Sequence, residues 1–205
     1  MQPSDITILS PTFYRDLGVL WHFIGTAEKH GLEVVKYGYK EPQCGWLHTH
    51  VTRLREELLH LDSSHILFTD AIDVIFNGTL ENIYHGYLSY GAPPLLVSME
   101  PSGMNAGGWM GERLAAVAAL NVVDNLVGSD PQERWREALR MGSVWAVADV
   151  GSRVFYAGVG DDLWAFDHRL YVRNGSAPPL IHLPGGHTDP ETGKDYKMKP
   201  LLEQL

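Results

Sequence analysis

The segment Ile66-Leu67-Phe68-Thr69-Asp70-Ala71-Ile72-Asp73-Val74-Ile75-Phe76 places two carboxylates three residues apart in a run that is otherwise almost wholly apolar. Hydrocarbon at this density must be buried, and an ionised carboxylate buried without a partner costs several kcal/mol. Whatever fold the chain adopts must therefore bring a cation or hydrogen-bond donors to Asp70 and Asp73. His65 to Phe68 shows no polar alternation before Thr69, the pattern of a strand covered on both faces. Ile6 to Leu9 is a short β-branched run closed by Ser10-Pro11, and Leu17, Leu20, Trp21 and Ile24 give helical spacing within Tyr14 to His30. Gly31 stops that helix. Leu32 to Tyr37 reads as a strand, Val51 to Leu61 as a helix and Ser64 to Thr69 as a third strand. Strand, helix, strand, helix, strand is the order of a parallel α/β sheet of Rossmann type.

Further along, the pattern predicts a helix over Leu80 to Tyr90, a buried strand over Pro94 to Ser98 and a glycine-dense connector over Gly103 to Gly111. Helices follow at Gly111 to Leu126 and at Pro131 to Arg140, where proline suits the first turn. Another helix is expected over Gly151 to Ala157, then strands at Leu163 to Phe166, Leu170 to Val172 and Leu180 to His182. With 205 residues, 44% of them hydrophobic, the chain suits a single domain, and residues 185–205 read as a mobile C-terminal loop or tail. Sixteen Lys and Arg against 25 Asp and Glu leave a net charge of −9. No basic stripe is present, which excludes duplex nucleic acid as the expected partner. The longest apolar stretches, such as Leu114 to Leu120, fall far below the ~20 residues of a membrane span. The N-terminus lacks a leader pattern, and the single Cys44 fits a reducing compartment. A cytoplasmic chain is the expectation.

With the third strand ending near Thr69, Asp70 and Asp73 fall at the carboxyl end of a parallel strand, where open α/β sheets hold their ligands. Hard carboxylate oxygens suit Mg²⁺ or Mn²⁺ and leave positions for substrate phosphates. The alternative is that Asp70 caps a turn while Asp73 pairs with an arginine. His182 ends an apolar strand just before Gly185 and Gly186, and its imidazole would complete an Asp, Asp, His site; a purely structural His182, or His187 as the ligand, is the alternative. Glycines beside it allow backbone N–H groups to approach a diphosphate. Asn105-Ala106-Gly107-Gly108 sets an amide able to bond sugar hydroxyls beside two glycines, against the alternative of a plain turn.

Taken in order, these motifs resemble the GT-A glycosyltransferases, most closely the glycosyltransferase domain of procollagen lysyl hydroxylases with its viral and bacterial relatives, and more distantly glycogenin. Ile66 to Phe76 looks like the family's strand ending in Asp-x-x-Asp, and Leu96-Val97-Ser98-Met99-Glu100-Pro101 like its next strand. Asn105-Ala106-Gly107-Gly108-Trp109-Met110-Gly111 is similar to the family's Asn-Ser-Gly-Gly-Phe-x-Gly, and His182-Leu183-Pro184-Gly185 to its closing His-x-x-Gly. The likeness spans residues 6–186. It implies a GT-A-like mixed, mostly parallel sheet flanked by helices, and transfer of a hexose from a UDP-sugar to a hydroxyl of a protein or glycan, with retention. Mn²⁺, or Mg²⁺ in its place, would be held by Asp70, Asp73 and His182. Ser10, Thr12, Asp70, Asn105, Gly107, Gly185 and Lys194 would serve the donor, with Lys197 able to replace Lys194. The acceptor-side acid falls on Asp149, preferred for its spacing to Phe166-Asp167, or on Asp161 or Asp162. The sequence departs from the family where Ile72 replaces an aromatic residue between the metal aspartates, where Ala106 replaces serine, and where His50 stands in place of a phosphate-facing lysine. Two other readings stand beside this one. A sugar-phosphate nucleotidyltransferase would show a Gly-rich basic loop, which Ser10-Pro11-Thr12 is not, and a non-catalytic nucleotide- or carbohydrate-binding module would bind without turnover.

Overall fold

The computed structural model describes residues 1–13, 20–38, 45–158 and 160–184. The chain enters through β1 (Ile6–Pro11), crosses α1 (Trp21–Lys29) and returns in β2 (Val34–Tyr37). Gly31, at φ 64°, makes the left-handed turn that ends α1. The first half of the helix expected from Tyr14 lies outside the described residues. The helix expected over 51–61 starts earlier, as a π-helical turn His48–Arg53 that continues into α2 (Leu54–His60). Next come β3 (His65–Thr69), β4 (Val74–Phe76), α3 (Leu80–Leu88), β5 (Leu95–Glu100) and β6 (Gly103–Glu112). Thr79 caps α3, accepting from the Asn82 backbone N–H. After them, α4 (Arg113–Asp124) and α5 (Pro131–Arg140) lead to β7 (Val147–Ala148), β8 (Phe155–Ala157), β9 (Leu163–Phe166), β10 (Arg169–Val172) and β11 (Leu180–His182). Asp130 caps α5 through the Gln132 N–H at 2.9 Å, with Pro131 at its first turn.

Six strands form the main sheet in the order β2-β1-β3-β6-β5-β7. β1 pairs in parallel with β2 and β3, and β5 with β7, while β6 runs antiparallel to both its neighbours. The sheet is thus mixed and mostly parallel, with one reversed strand near its middle. Alternate side chains bury on opposite faces. Leu9, Ile66, Phe68, Val97 and Trp109 face a core with α2, α4 and α5, and Ile8, Leu67, Leu96 and Met110 face a core with α1 and α3. A smaller sheet, β4-β11-β8, packs Ile75, Tyr156 and Ile181 against Leu170 of the β9-β10 hairpin. Among the described residues no helix is long and apolar enough to cross a membrane.

Two expectations are corrected. The glycine-dense stretch is not a connector but β6, the longest strand. Its glycines admit close neighbours: a Cβ on Gly111 would lie 2.1 Å from the Pro94 carbonyl oxygen, inside any contact a side chain tolerates. The helix expected over 151–157 is instead a turn into β8. The Asp149 carboxylate bonds the N–H groups of Arg153, Val154 and Phe155 as a helix cap would, yet the chain leaves that turn extended to pair with β11.

Candidate metal centre

Asp70 follows directly on β3, and its N–H donates to the Gly107 carbonyl of β6 at 2.9 Å. Three residues on, Asp73 precedes β4, and the antiparallel pairing of β4 with β11 sets His182 opposite Val74. The Leu183 N–H donates to the Asp73 carbonyl at 2.9 Å and locks that register. His182 Nε2 comes to 2.9 Å from Asp73 Oδ1 and 4.0 Å from Asp70 Oδ2. One ligand atom from each of the three residues lies within 4.8 Å of the others. In an octahedral shell with bonds of about 2.1 Å, neighbouring ligands stand about 3 Å apart and opposite ones about 4 Å. The spacings, two hard oxygens and an imidazole fit a divalent cation such as Mg²⁺ or Mn²⁺.

The surroundings fit as well. A Cβ on Gly107 would lie 2.2 Å from Asp70 Oδ2 and 2.5 Å from His182 Cε1. Only glycine leaves the carboxylate and imidazole where they are. Burial pushes the Asp70 carboxyl up, but the adjacent His50 and the more distant His182 outweigh it and hold its pKa below the usual value. Burial pushes His182 down, and Asp73, Asp70 and Glu100 overcome it to raise its pKa above the ordinary histidine value. This electrostatic field favours positive charge.

His50, on the π-helical turn, reaches Asp70 Oδ1 with Nε2 at 2.9 Å, while its Nδ1 lies 3.1 Å from the Trp46 carbonyl. It orients the carboxylate, a role the sequence reading did not give it. Trp46 stacks on His50 with ring centroids 4.5 Å apart and is 52% exposed. Trp46, His50, Asp70 and Ile72 line a cleft with Pro11 and Phe13. Ser10 and Thr12 are not brought into it. Both are fully buried, and the Thr12 hydroxyl donates to the Tyr37 carbonyl at 3.2 Å. Asn105 is also buried: its Oδ1 accepts from the Gly107 N–H at 2.8 Å and its amide donates to Glu100 at 3.4 Å. Glu100 in turn gathers Gln132 at 2.7 Å, Arg136 at 2.6 Å and Ser102 at 2.8 Å, tying α5 to the glycine stretch. Trp46 carried no signal in the sequence, since a single exposed aromatic has no diagnostic spacing, and Glu100 stood out only as part of the Leu96 to Pro101 segment, with no role of its own.

Of the acceptor-side acids, Asp149 is 3% exposed. One of its oxygens accepts from Tyr90 Oη (2.6 Å) and the Arg153 N–H (2.9 Å), the other from the Val154 (2.8 Å) and Phe155 (2.7 Å) N–H groups. Asp161 and Asp162 are exposed, and Asp162 accepts a bond from Tyr156 Oη. Gly185, His187, Lys194, Lys197 and Cys44 lie outside the described residues.

A scan against protein-family models and a search of curated proteins each find no match. Among solved structures, the chain is similar to a glycosyltransferase involved in the glycosylation of the major capsid of PBCV-1, with 14% sequence identity, a TM-score of 0.60 and 97% of each chain covered. At that identity the likeness is one of fold. The chain therefore has a glycosyltransferase-like fold of Rossmann type, with the Asp70, Asp73 and His182 triplet at the carboxyl end of its central strand.

Proposed function

We propose that the chain is a metal-dependent glycosyltransferase that moves a hexose from a UDP-sugar to a hydroxyl of a protein or glycan, with retention. The observation that carries this reading is the ligand triplet of Asp70, Asp73 and His182, set in a fold shared with a glycosyltransferase. Mn²⁺, with Mg²⁺ as the alternative, would be held by those three residues; when bound, it supplies the positive charge that stabilises a diphosphate leaving group. His50 keeps the Asp70 carboxylate aimed, and Gly107 leaves it room. Trp46 offers an exposed ring beside the cleft, so a base could stack there although Ile72 provides no aromatic face. In the transfer, the acceptor oxygen bonds the anomeric carbon on the same face from which the β-phosphate oxygen departs, as the bond from that carbon to the β-phosphate oxygen breaks. The electron pair leaves with UDP, and the hydroxyl proton passes to solvent. Asp149, with four hydrogen bonds on its carboxylate, is assigned a structural role, which leaves Asp161 and Asp162, and of these Asp162, which lines a cleft, is the acceptor-side acid in this reading. The lone Cys44 is the basis for placing the protein in the cytoplasm.

The test is UDP release from a panel of UDP-sugars with Mn²⁺ and no acceptor, comparing the protein with Asp73→Ala. Metal-dependent release from one donor, reduced at least a hundredfold in Asp73→Ala, is the expected result. No release from any donor, together with no Mn²⁺-dependent thermal shift from UDP, would overturn the assignment.

A further inference from the structure

One cleft near the triplet, lined by Trp46, His50 and Ile72, has Asp70 itself in its wall. A second cleft opens where Ala157 of β8 forms a wall. Ala157 pairs with His182 across the β8-β11 ladder, and the Gly158 N–H donates to the His182 carbonyl at 3.2 Å. Neighbouring strands stand about 4.8 Å apart, so this second cleft begins one strand spacing from a metal ligand. Its void is ≈ 430 Å³, within the range of roughly 300–1,000 Å³ found for small-molecule sites. A two-substrate transfer needs one pocket on each side of the bond that breaks, and the first cleft accounts for only one.

Polar groups, some with bonding capacity to spare, line this second cleft. Tyr156 Oη accepts from the Gly160 N–H at 3.1 Å and donates to Asp162 Oδ1, which leaves Asp162 Oδ2 without a partner among the described residues. Arg173 makes no ion pair or hydrogen bond among them. Ser152 adds a hydroxyl from a backbone at φ 49°, a left-handed conformation that a non-glycine residue seldom adopts and that gathers at ligand sites. The Asp149 carboxylate, through the N–H groups that follow Ser152, fixes the turn that holds it there. Between these groups stand Met99, Ala157 and Val172. A carboxylate oxygen, a guanidinium and a hydroxyl set among apolar patches suit a molecule that presents hydroxyls on its rim and C–H groups on its face.

We propose that the cleft formed by Ser152, Tyr156, Asp162, Arg173 and Asn174 is the acceptor site and that its ligand is a saccharide, a proposal that rests on the transferase reading above. Asp162 orients the attacking hydroxyl, and Arg173 and Asn174 hold neighbouring ones. A protein acceptor would then be recognised through a sugar it already carries.

The test is saturation-transfer NMR on the full chain with methyl glycosides of hexoses, pentoses and N-acetylhexosamines, in the presence of UDP and diamagnetic Mg²⁺. At least one glycoside is expected to bind, and Arg173→Ala and Asn174→Ala are each expected to weaken it roughly three- to tenfold. Both residues are exposed, so the fold tolerates either change. Asn174 also accepts from the Ser176 N–H at 2.9 Å and donates to the Gly151 carbonyl at 3.4 Å, which makes Arg173→Ala the variant that removes no hydrogen bond of that turn. A glycoside bound equally well by the protein and both variants would place saccharide elsewhere and overturn the proposal. A thermal shift from UDP with no glycoside bound would overturn the acceptor assignment alone. No response to UDP and no donor cleavage would instead remove the transferase reading beneath it.

Discussion

At Gly107 a single hydrogen atom keeps the candidate metal centre open. A methyl group there meets Asp70 Oδ2 at 2.2 Å and His182 Cε1 at 2.5 Å, and one of the two must move. Gly107→Ala is therefore expected to weaken Mn²⁺ binding roughly 10- to 100-fold, as changes beside metal ligands commonly do. The melting temperature of the metal-free protein should shift little, because a short side chain rather than the main chain gives way. Metal titration by calorimetry, with thermal melts in EDTA, checks both halves of this expectation. That Asp70, Asp73 and His182 are candidates to gather was legible in the sequence because charge and imidazole stand out against an apolar frame, and the fold does bring them together. His50 was noticed only as a missing lysine. Its contact with Asp70 depends on a π-helical turn, and no spacing in the sequence announces one.

Among the elements, the turn from β7 into β8 depends on one side chain. The Asp149 carboxylate accepts three backbone N–H groups and the Tyr90 hydroxyl. It raises the Tyr90 pKa, already lifted by burial, to about 12. Removing such an acceptor leaves buried donors unpaired. Asp149→Ala is expected to cost about 3–5 kcal/mol, read as a lower midpoint in urea unfolding at pH 7. A variant as stable as the parent but defective in transfer would show that the residue belongs to the chemistry after all. The same carboxylate explains why the sequence suggested a helix here, since an acid ahead of a short run is also how a helix begins. Val154, Phe155 and Tyr156 carried the opposing β signal, and pairing with β11 decided between them. β6 was misread for a related reason. Glycine marks turns when seen alone, but in this strand Gly107 and Gly111 answer to atoms from Asp70, His182 and Pro94, far away in the chain. Strands with steady apolar runs, such as β3 and β11, needed no such knowledge and fell where they were expected.

Across the whole molecule, the ligand triplet draws on both sheets. Asp70 extends from β3 of the six-stranded sheet, whereas Asp73 and His182 flank and end strands of the three-stranded one. The smaller sheet has only three residues in each of its three strands, the short end of the usual strand length and the fewest strands that stand alone. A cation held by all three ligands would act as a cross-link between the sheets. Hydrogen exchange followed by mass spectrometry should then show Mn²⁺ slowing amide exchange in β4, β8 and β11 more than in β1 and β2. Equal protection everywhere, or none, would argue against a shared ion. Binding to the folded state alone stabilises it by about 2.7 kcal/mol at a hundred times the dissociation constant. Part of this protein's cooperativity would thus be borrowed from an ion in solution, and its folded population, as well as its turnover, would follow the local supply of metal.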